Sequence, residues 1–268
     1  MEARLDAPTP NNAPVIRRDA QGISTLTLDR PDQYNALSDA LLDGLQDALD
    51  DVAKDDSVRL VVLAGRGRAF SAGHDLKEMR QTPDRACYES LFKKCSRLMV
   101  SITRLPKPVI ARVHGLATAA GCQLIASCDL AVAAREAKFG TSGIRVGLFC
   151  MTPGVALSRN IARKPAFEML FTGELISADE ALALGLVNRV VEADRLDAAV
   201  DELAQSILAH SQAAIAAGKR VFYQQLEMGL SDAYDFAAEE MADNMMFHDV
   251  GEGIDAFIAK RKPNWRHE

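Results

Sequence analysis

Two segments of the chain have residue types and spacings suited to stabilising negative charge on an oxygen. One is Phe70-Ser71-Ala72-Gly73-His74-Asp75-Leu76-Lys77, a loop after an apolar run in which Gly73 lets the backbone turn and expose an N–H. The other is Gly115-Leu116-Ala117-Thr118-Ala119-Ala120-Gly121-Cys122-Gln123, small residues leading from a strand into a helix. The first N–H groups of a helix have no partner inside it, and the helix dipole leaves that end partly positive. Two such donors converging on one point stabilise an oxyanion, usually the largest electrostatic contribution in acyl-transfer or enolate-forming sites. Glycine-rich turns after strands are nevertheless common in α/β proteins. On these residues alone, tight packing of a strand-helix corner is the first reading. His74 adds a titratable ring beside the loop, either as a working group or as a packed side chain of which only the main chain matters.

The elements that must position these loops follow from the apolar pattern. Ile23 to Leu28 reads as a strand broken by Pro31, and Ser38 caps a helix whose Leu41, Leu42, Leu45, Ala48, Leu49 and Val52 share one face. Arg59 to Leu63 is a strand buried on both faces. A second helix from Asp84 aligns Cys87, Leu91, Cys95, Leu98 and Ile102, which predicts that its cysteines are core fillers. Val109 to Val113 and Leu130 to Ala133 are further strands flanking a short small-residue helix, Ala119 to Ser127. Beyond Pro165 the pattern is mainly helical: Ala166 to Phe171, Ala178 to Leu184, Leu196 to Ala209, and a long stretch from Ala213 to Phe257.

A chain of 268 residues buries a sizeable core, and its 48% apolar and 25% charged residues are those of an ordinary globular protein. The net charge of -6 and scattered basic residues argue against a nucleic-acid surface, and no window approaches the roughly 20 apolar residues of a membrane span. Five dispersed cysteines, Cys87, Cys95, Cys122, Cys128 and Cys150, lack metal-ligand spacing and read as reduced, buried thiols. The first twenty residues match neither a secretory signal nor a transit peptide, which leaves the cytoplasm as the expected compartment.

Nearly the whole chain resembles the enoyl-CoA hydratase/isomerase (crotonase) superfamily, motif by motif and in order. Leu28-Asp29-Arg30-Pro31 with Tyr34-Asn35-Ala36-Leu37 is similar to its opening strand and coenzyme A contact. Ala69 to Lys77 and Val109 to Asp129 resemble its two oxyanion loops. Phe171-Thr172-Gly173, Ile176 to Ala181, Gly185-Leu186-Val187-Asn188 and the ending Gly253 to Asn264 resemble its later helices. Within it the Gly-His-Asp-Leu and Ala-Ala-Gly-Cys-Gln segments are most similar to the enoyl-CoA hydratase domain-containing proteins grouped as number three. The resemblance implies an α/β fold, a crotonase-like spiral of strand-strand-helix repeats with a helical C-terminal region. It implies an N-terminal arm (1–20), a spiral core (21–200) and a C-terminal trimerisation region (201–268). The implied partner is an acyl-CoA thioester, with no cofactor beyond that coenzyme A and with homotrimers or hexamers as the assembly.

Carried over by position, the N–H groups of His74 and Ala120 are the oxyanion donors, with Ala119 and Ala120 standing where many members have glycine. Asn35, Ala36, Leu37, Ala72, Asp75, Leu76 and Lys77 fall along the expected coenzyme A path, and Phe257 and Lys260 are candidate contacts from a neighbouring subunit. For Lys77 and Lys260 a solvated surface lysine is an equal alternative. The family's two hydratase glutamates are replaced by Gln123 and Gly143. Glutamine orients a water but takes no proton, and glycine offers no side chain. Efficient hydration is therefore not expected unless glutamates are restored. The alternatives are a decarboxylase of the same superfamily using His74, and a non-catalytic acyl-CoA-binding protein. Cys150, Ser142 and Glu89 are further candidates near the mouth.

Overall fold

A computed structural model of the protein describes residues 13–268. Strands Val15–Ala20 (β1) and Ile23–Leu28 (β2) pair antiparallel through Gln21 and Gly22. Both turn residues have positive φ (52° and 80°), as the tightest hairpin connection requires. Residues 15–20 are thus a strand, where the sequence reading expects part of an arm; residues 1–12 of that arm lie outside the described residues. The reason is that β2 offers Val15 to Ala20 a full register of partners.

Helix Asp39–Lys54 (α1) starts where Ser38 accepts from the Leu41 N–H at 3.2 Å. The chain then winds through Leu60–Gly65 (β3), Ala69–Ser71 (β4), Leu76–Gln81 (α2) and Arg85–Arg104 (α3). The next turn is Val109–Val113 (β5), Leu116–Thr118 (β6) and Ala120–Ser127 (α4). The third is Leu130–Ala134 (β7), Lys138–Gly140 (β8), Met151–Leu157 (α5) and Arg163–Thr172 (α6). Leu175–Ser177 (β9), Ala178–Leu184 (α7), Arg189–Val191 (β10) and Leu196–Leu208 (α8) close the spiral. Gln212–Gln225 (α9), Leu230–Met245 (α10) and His248–Ile258 (α11) follow.

Each turn of the spiral places one strand in each of two sheets and then a helix. The larger sheet runs β1-β2-β3-β5-β7-β10, parallel except for β1, and the smaller runs β4-β6-β8-β9. Alternation along β3, β5 and β7 divides the core. Val61, Leu63, Ala111, Val113, Ala131 and Ala133 meet α1 and α3, while Leu60, Val62, Ile110, Val132 and Ala134 meet α8. That second packing holds Leu196, Ala199, Val200 and Ala204 on the sheet, so α8 runs across the division expected at residue 200. The fold is the expected crotonase-like α/β spiral.

Cys87 corrects one expectation. It is exposed, whereas Cys95, Cys122, Cys128 and Cys150 are buried. The stripe it belongs to reaches the core only from Leu91 onward, so the first turn of α3, capped by Asp84, stays in water. The long stretch expected after Ala213 divides into three helices, and α9 to α11 leave Phe222, Leu230, Met246 and Phe257 exposed.

Candidate active site

The two small-residue loops end β4 and β6, neighbouring parallel strands of the smaller sheet. Gly73 has φ +89°, and a Cβ there would lie 2.9 Å from Ala119 Cβ and 3.1 Å from Ala120 N. A Cβ on Gly121 would lie 2.3 Å from the Ser71 carbonyl oxygen. Glycine at both positions is what allows the loops to touch.

The direction of each donor follows from its peptide plane. The Gly73 carbonyl accepts from the Leu37 N–H at 2.8 Å, so in a trans peptide the His74 N–H points away from Leu37. The Ala119 carbonyl accepts from the Gln123 N–H at 3.0 Å along α4, so the Ala120 N–H points backward out of the helix. Among the described residues neither amide donates a hydrogen bond within the protein. Both donors are therefore unengaged on loops in van der Waals contact.

Ala119 has a positive φ, 51°, with ψ −121°, a region that favours glycine. Such strain costs about 1–3 kcal/mol and is held by its surroundings, here the Ala119 N–H bond to the Gly140 carbonyl at 2.9 Å. Ala119→Gly is expected to raise stability by about 1 kcal/mol, or about 2–4 °C in Tm. Thermal unfolding followed by circular dichroism checks this, and a lower Tm than wild type refutes the strain.

Of the residues on the expected coenzyme A path, two are not accessible. Asn35 is 0% exposed, its Oδ1 accepting from Arg30 N–H (2.9 Å) and its Nδ2 donating to the Arg66 and Ala69 carbonyls (2.9 and 2.8 Å). Leu37 is 1% exposed and bridges to His74. They hold the loop, with no side-chain polar atom left for a ligand. Ala36 and Ala72 are half-buried, and Leu76 and Lys77 are exposed beside them. Asp75 caps α2 through the Lys77 and Glu78 N–H groups (3.1 and 3.2 Å). Burial pushes its carboxyl upward, but the Glu78 N–H and the Arg30 guanidinium outweigh that and hold it below the usual range. Phe257 and Lys260 are exposed, on and just after α11, which packs on α9 and α10.

The His74 ring meets Phe92 edge to face, centroids 5.5 Å apart, and both its nitrogens are buried without a partner. Burial lowers its pKa, opposed only in part by the Leu37 backbone, which lies near the ring without reaching hydrogen-bond geometry, so the neutral form is favoured at pH 7. Gln123 is buried on α4, and its Oε1 also lacks a partner. So does the hydroxyl of Thr141, wholly buried just before Ser142, whose own hydroxyl is 2.8 Å from that of Thr118. Buried polar atoms are rarely left unpaired, so each of these is a point where a ligand or water can complete the bonding, as are Ser24, Arg59, His114 and Asn244 elsewhere.

Gly143 holds a finding the sequence does not reveal. A Cβ there would lie 2.4 Å from the Leu148 carbonyl oxygen and 2.7 Å from Cys150 Sγ. The expectation that glutamates at 123 and 143 restore hydration is therefore corrected at position 143: a side chain has no space without backbone movement. Cys150 is buried, and burial raises its thiol pKa, which keeps it protonated. Glu89 is engaged by Lys93 and Arg85 on the surface of α3.

A cavity of about 420 Å³ opens between α3 and α5, lined by Tyr88, Phe92, Ser96 and Thr152 with Arg85, Glu89 and Lys93. Through Phe92 it reaches the His74 ring. Another, of about 300 Å³ at the ends of β3, β5 and β7, includes none of these loop residues. Sequence reasoning missed Phe92 and Thr141: an aromatic on a helix reads as core, and a threonine carries no sign of being orphaned until its neighbours are placed.

The enoyl-CoA hydratase/isomerase family model matches residues 18–268. The chain is 46% identical over 250 residues to mouse "enoyl-CoA hydratase domain-containing protein 3, mitochondrial", covering 93% of this chain and 83% of that protein. Among solved structures, an enoyl-CoA hydratase from Mycobacterium smegmatis shares 57% identity at TM-score 0.93, over 94% of this chain and 98% of that one. Human enoyl coenzyme A hydratase domain-containing protein 3 shares 44% identity at TM-score 0.89, covering 94% and 100%. The mitochondrial names of the vertebrate relatives overturn the expectation of a cytoplasmic protein. That expectation came from the composition of a short segment, which is weak evidence beside relatives matching over the whole fold. Motif order, spiral topology and these likenesses agree: the chain belongs to the enoyl-CoA hydratase/isomerase family.

Proposed function

We propose that the protein binds an acyl-CoA thioester with its carbonyl oxygen between the His74 and Ala120 N–H groups and stabilises the oxyanion or enolate that forms there. The observation that carries this is the pair of unengaged amides on touching loops. Ala36, Ala72, Leu76 and Lys77 border the coenzyme A path, and the acyl group extends toward the cavity at Phe92. No cofactor is needed beyond the coenzyme A of the substrate. The exposed apolar residues of α9 to α11 fit a homotrimer or hexamer in which a neighbouring copy brings Phe257 and Lys260 to the site.

Hydration is a poor fit. A general acid or base contributes about a hundred- to ten-thousandfold, and Gln123 and Gly143 supply neither. His74 favours a second reading, decarboxylation. Breaking the bond between the α carbon and a carboxylate sends its electron pair into the thioester as an enolate and releases carbon dioxide, with no protein base required. What supports this reading is that the His74 ring is neutral and its nitrogens are unpartnered, so its N–H is free to hydrogen-bond such a carboxylate.

Calorimetric titration with enoyl-, hydroxyacyl- and malonyl-type thioesters tests the reading. Heat of binding is expected, with little product from crotonyl-CoA, and no heat at high ligand concentration removes the proposal. Carbon dioxide release that falls in His74→Ala supports decarboxylation; release unchanged by the substitution rejects a role for the ring. Binding without any product identifies a non-catalytic acyl-CoA-binding protein.

A further inference from the structure

Arg30 follows β2 and lies outside the two oxyanion loops, yet its guanidinium is committed on both sides of the first one. Nη1 donates to the Ala36 carbonyl at 2.7 Å and Nη2 to Asp75 Oδ2 at 3.2 Å. Ala36 and Asp75 flank the point where two strips of chain run side by side, the isolated bridge between Leu37 and His74. That bridge is short. It consists of the Leu37 N–H bond to the Gly73 carbonyl at 2.8 Å and a longer one, 3.4 Å, from the Asp75 N–H to the Leu37 carbonyl.

The amides on either side of His74 are engaged. Ala72 donates to the Tyr34 carbonyl at 3.0 Å, Gly73 to Ser71 Oγ at 3.3 Å, and Asp75 to Leu37. Between Ala72 and Asp75 the His74 N–H alone has no partner among the described residues, and its direction is set by the bond that its own peptide carbonyl makes to Leu37. Whatever holds the strip 36–37 against 73–75 therefore aims the donor. Two bridge bonds, one of them long, are a weak fixture; the guanidinium, only 23% exposed and paired with a carboxylate 16% exposed, ties both strips from beneath.

We infer that Arg30 is a positioning residue for the oxyanion hole, acting through Ala36 and Asp75 to fix the direction of the His74 N–H. The inference rests on the proposed reading of the site as a thioester-carbonyl pocket. Arg30 needs no contact with the ligand for this, and the two nitrogens that form these bonds are already occupied. A lysine in its place has a single point of charge and no planar fork, so it holds one strip and leaves the other free.

The experiment reads carbonyl polarisation in the bound state. Acyl-CoA labelled with carbon-13 at the thioester carbonyl is added at saturation to wild type, Arg30→Met, Arg30→Lys and Asp75→Asn, and the carbonyl resonance is compared with that of free ligand. Wild type is expected to move the resonance downfield. Arg30→Met and Asp75→Asn are expected to lose at least half of that shift, and Arg30→Lys part of it, with affinity for the coenzyme A moiety changed only a few-fold. A role confined to stability would lower Tm and leave the shift at saturation intact, and that result overturns the inference. Arg30→Lys and Asp75→Asn supply the answer if Arg30→Met does not fold. Binding with no shift in wild type overturns the carbonyl-pocket reading instead, so the two failures are distinguishable.

Discussion

Gly73→Ala is expected to lower turnover of whichever thioester the wild type processes by about a hundred- to a thousandfold, the loss typical of removing one oxyanion donor. The added methyl would sit 2.9 Å from Ala119 Cβ and 3.1 Å from Ala120 N, so the loops must part. Donors at an oxyanion work at about 2.7–3.1 Å, a tolerance smaller than that displacement. The φ of +89° adds strain of its own. Gly147→Ala separates the two effects: its φ is +79°, but a Cβ there meets nothing within 4 Å. Steady-state kinetics on both variants, with circular dichroism to confirm folding, checks the prediction. Activity of Gly73→Ala within tenfold of wild type would show that the two loops do not form one site.

Lys219→Met is expected to destabilise the protein by about 3–5 kcal/mol, the usual result of leaving one member of a buried ion pair behind. Lys219 on α9 is 8% exposed and donates to the Ile102 and Lys107 carbonyls (2.9 and 3.0 Å) and to Asp129 Oδ2 (2.6 Å). Asp129 also accepts from Tyr223 (2.9 Å) and from the Val109 N–H (2.7 Å). One buried cluster thereby fastens the first C-terminal helix to the end of α3 and the start of β5. Burial lowers the lysine pKa, opposed by the Asp129 carboxylate, so the bonded ammonium depends on its partner. The predicted fall in Tm is about 10 °C or more. Combining Lys219→Met with Asp129→Asn is expected to cost less than the sum of the two, since the second change removes the stranded charge. A single-variant drop under about 2 °C would mean that α9 is held by other contacts.

The sequence made some of this legible because the signal was local. Ser38 and Asp84 announce helix starts by bonding N–H groups two or three residues on, and β3, buried on both faces, shows as an unbroken apolar run. The two donor loops were legible through motif resemblance, since on residue types alone a packed corner explains them equally well. What stayed hidden depended on contacts between distant segments. Asn35 in a turn can contact a ligand or tie strands together, and only the Arg66 and Ala69 carbonyls decide which. Cys87 shares the helical phase of Cys95, but phase does not report how far along α3 the core reaches. Arg30 reads in the sequence only as part of the Leu28-Asp29-Arg30-Pro31 motif, because its partner Asp75 lies 45 residues away.

The crowding over Gly143 bears on how such a site changes over time. With a main-chain oxygen and a sulfur filling the space that a β carbon would take, no single substitution at that position places a carboxylate without backbone movement. The Leu148 backbone and the Cys150 thiol must both give way first. A carboxylate at this position is thus reached only through several coordinated changes, whereas substitutions around the neutral residues now present face no such barrier.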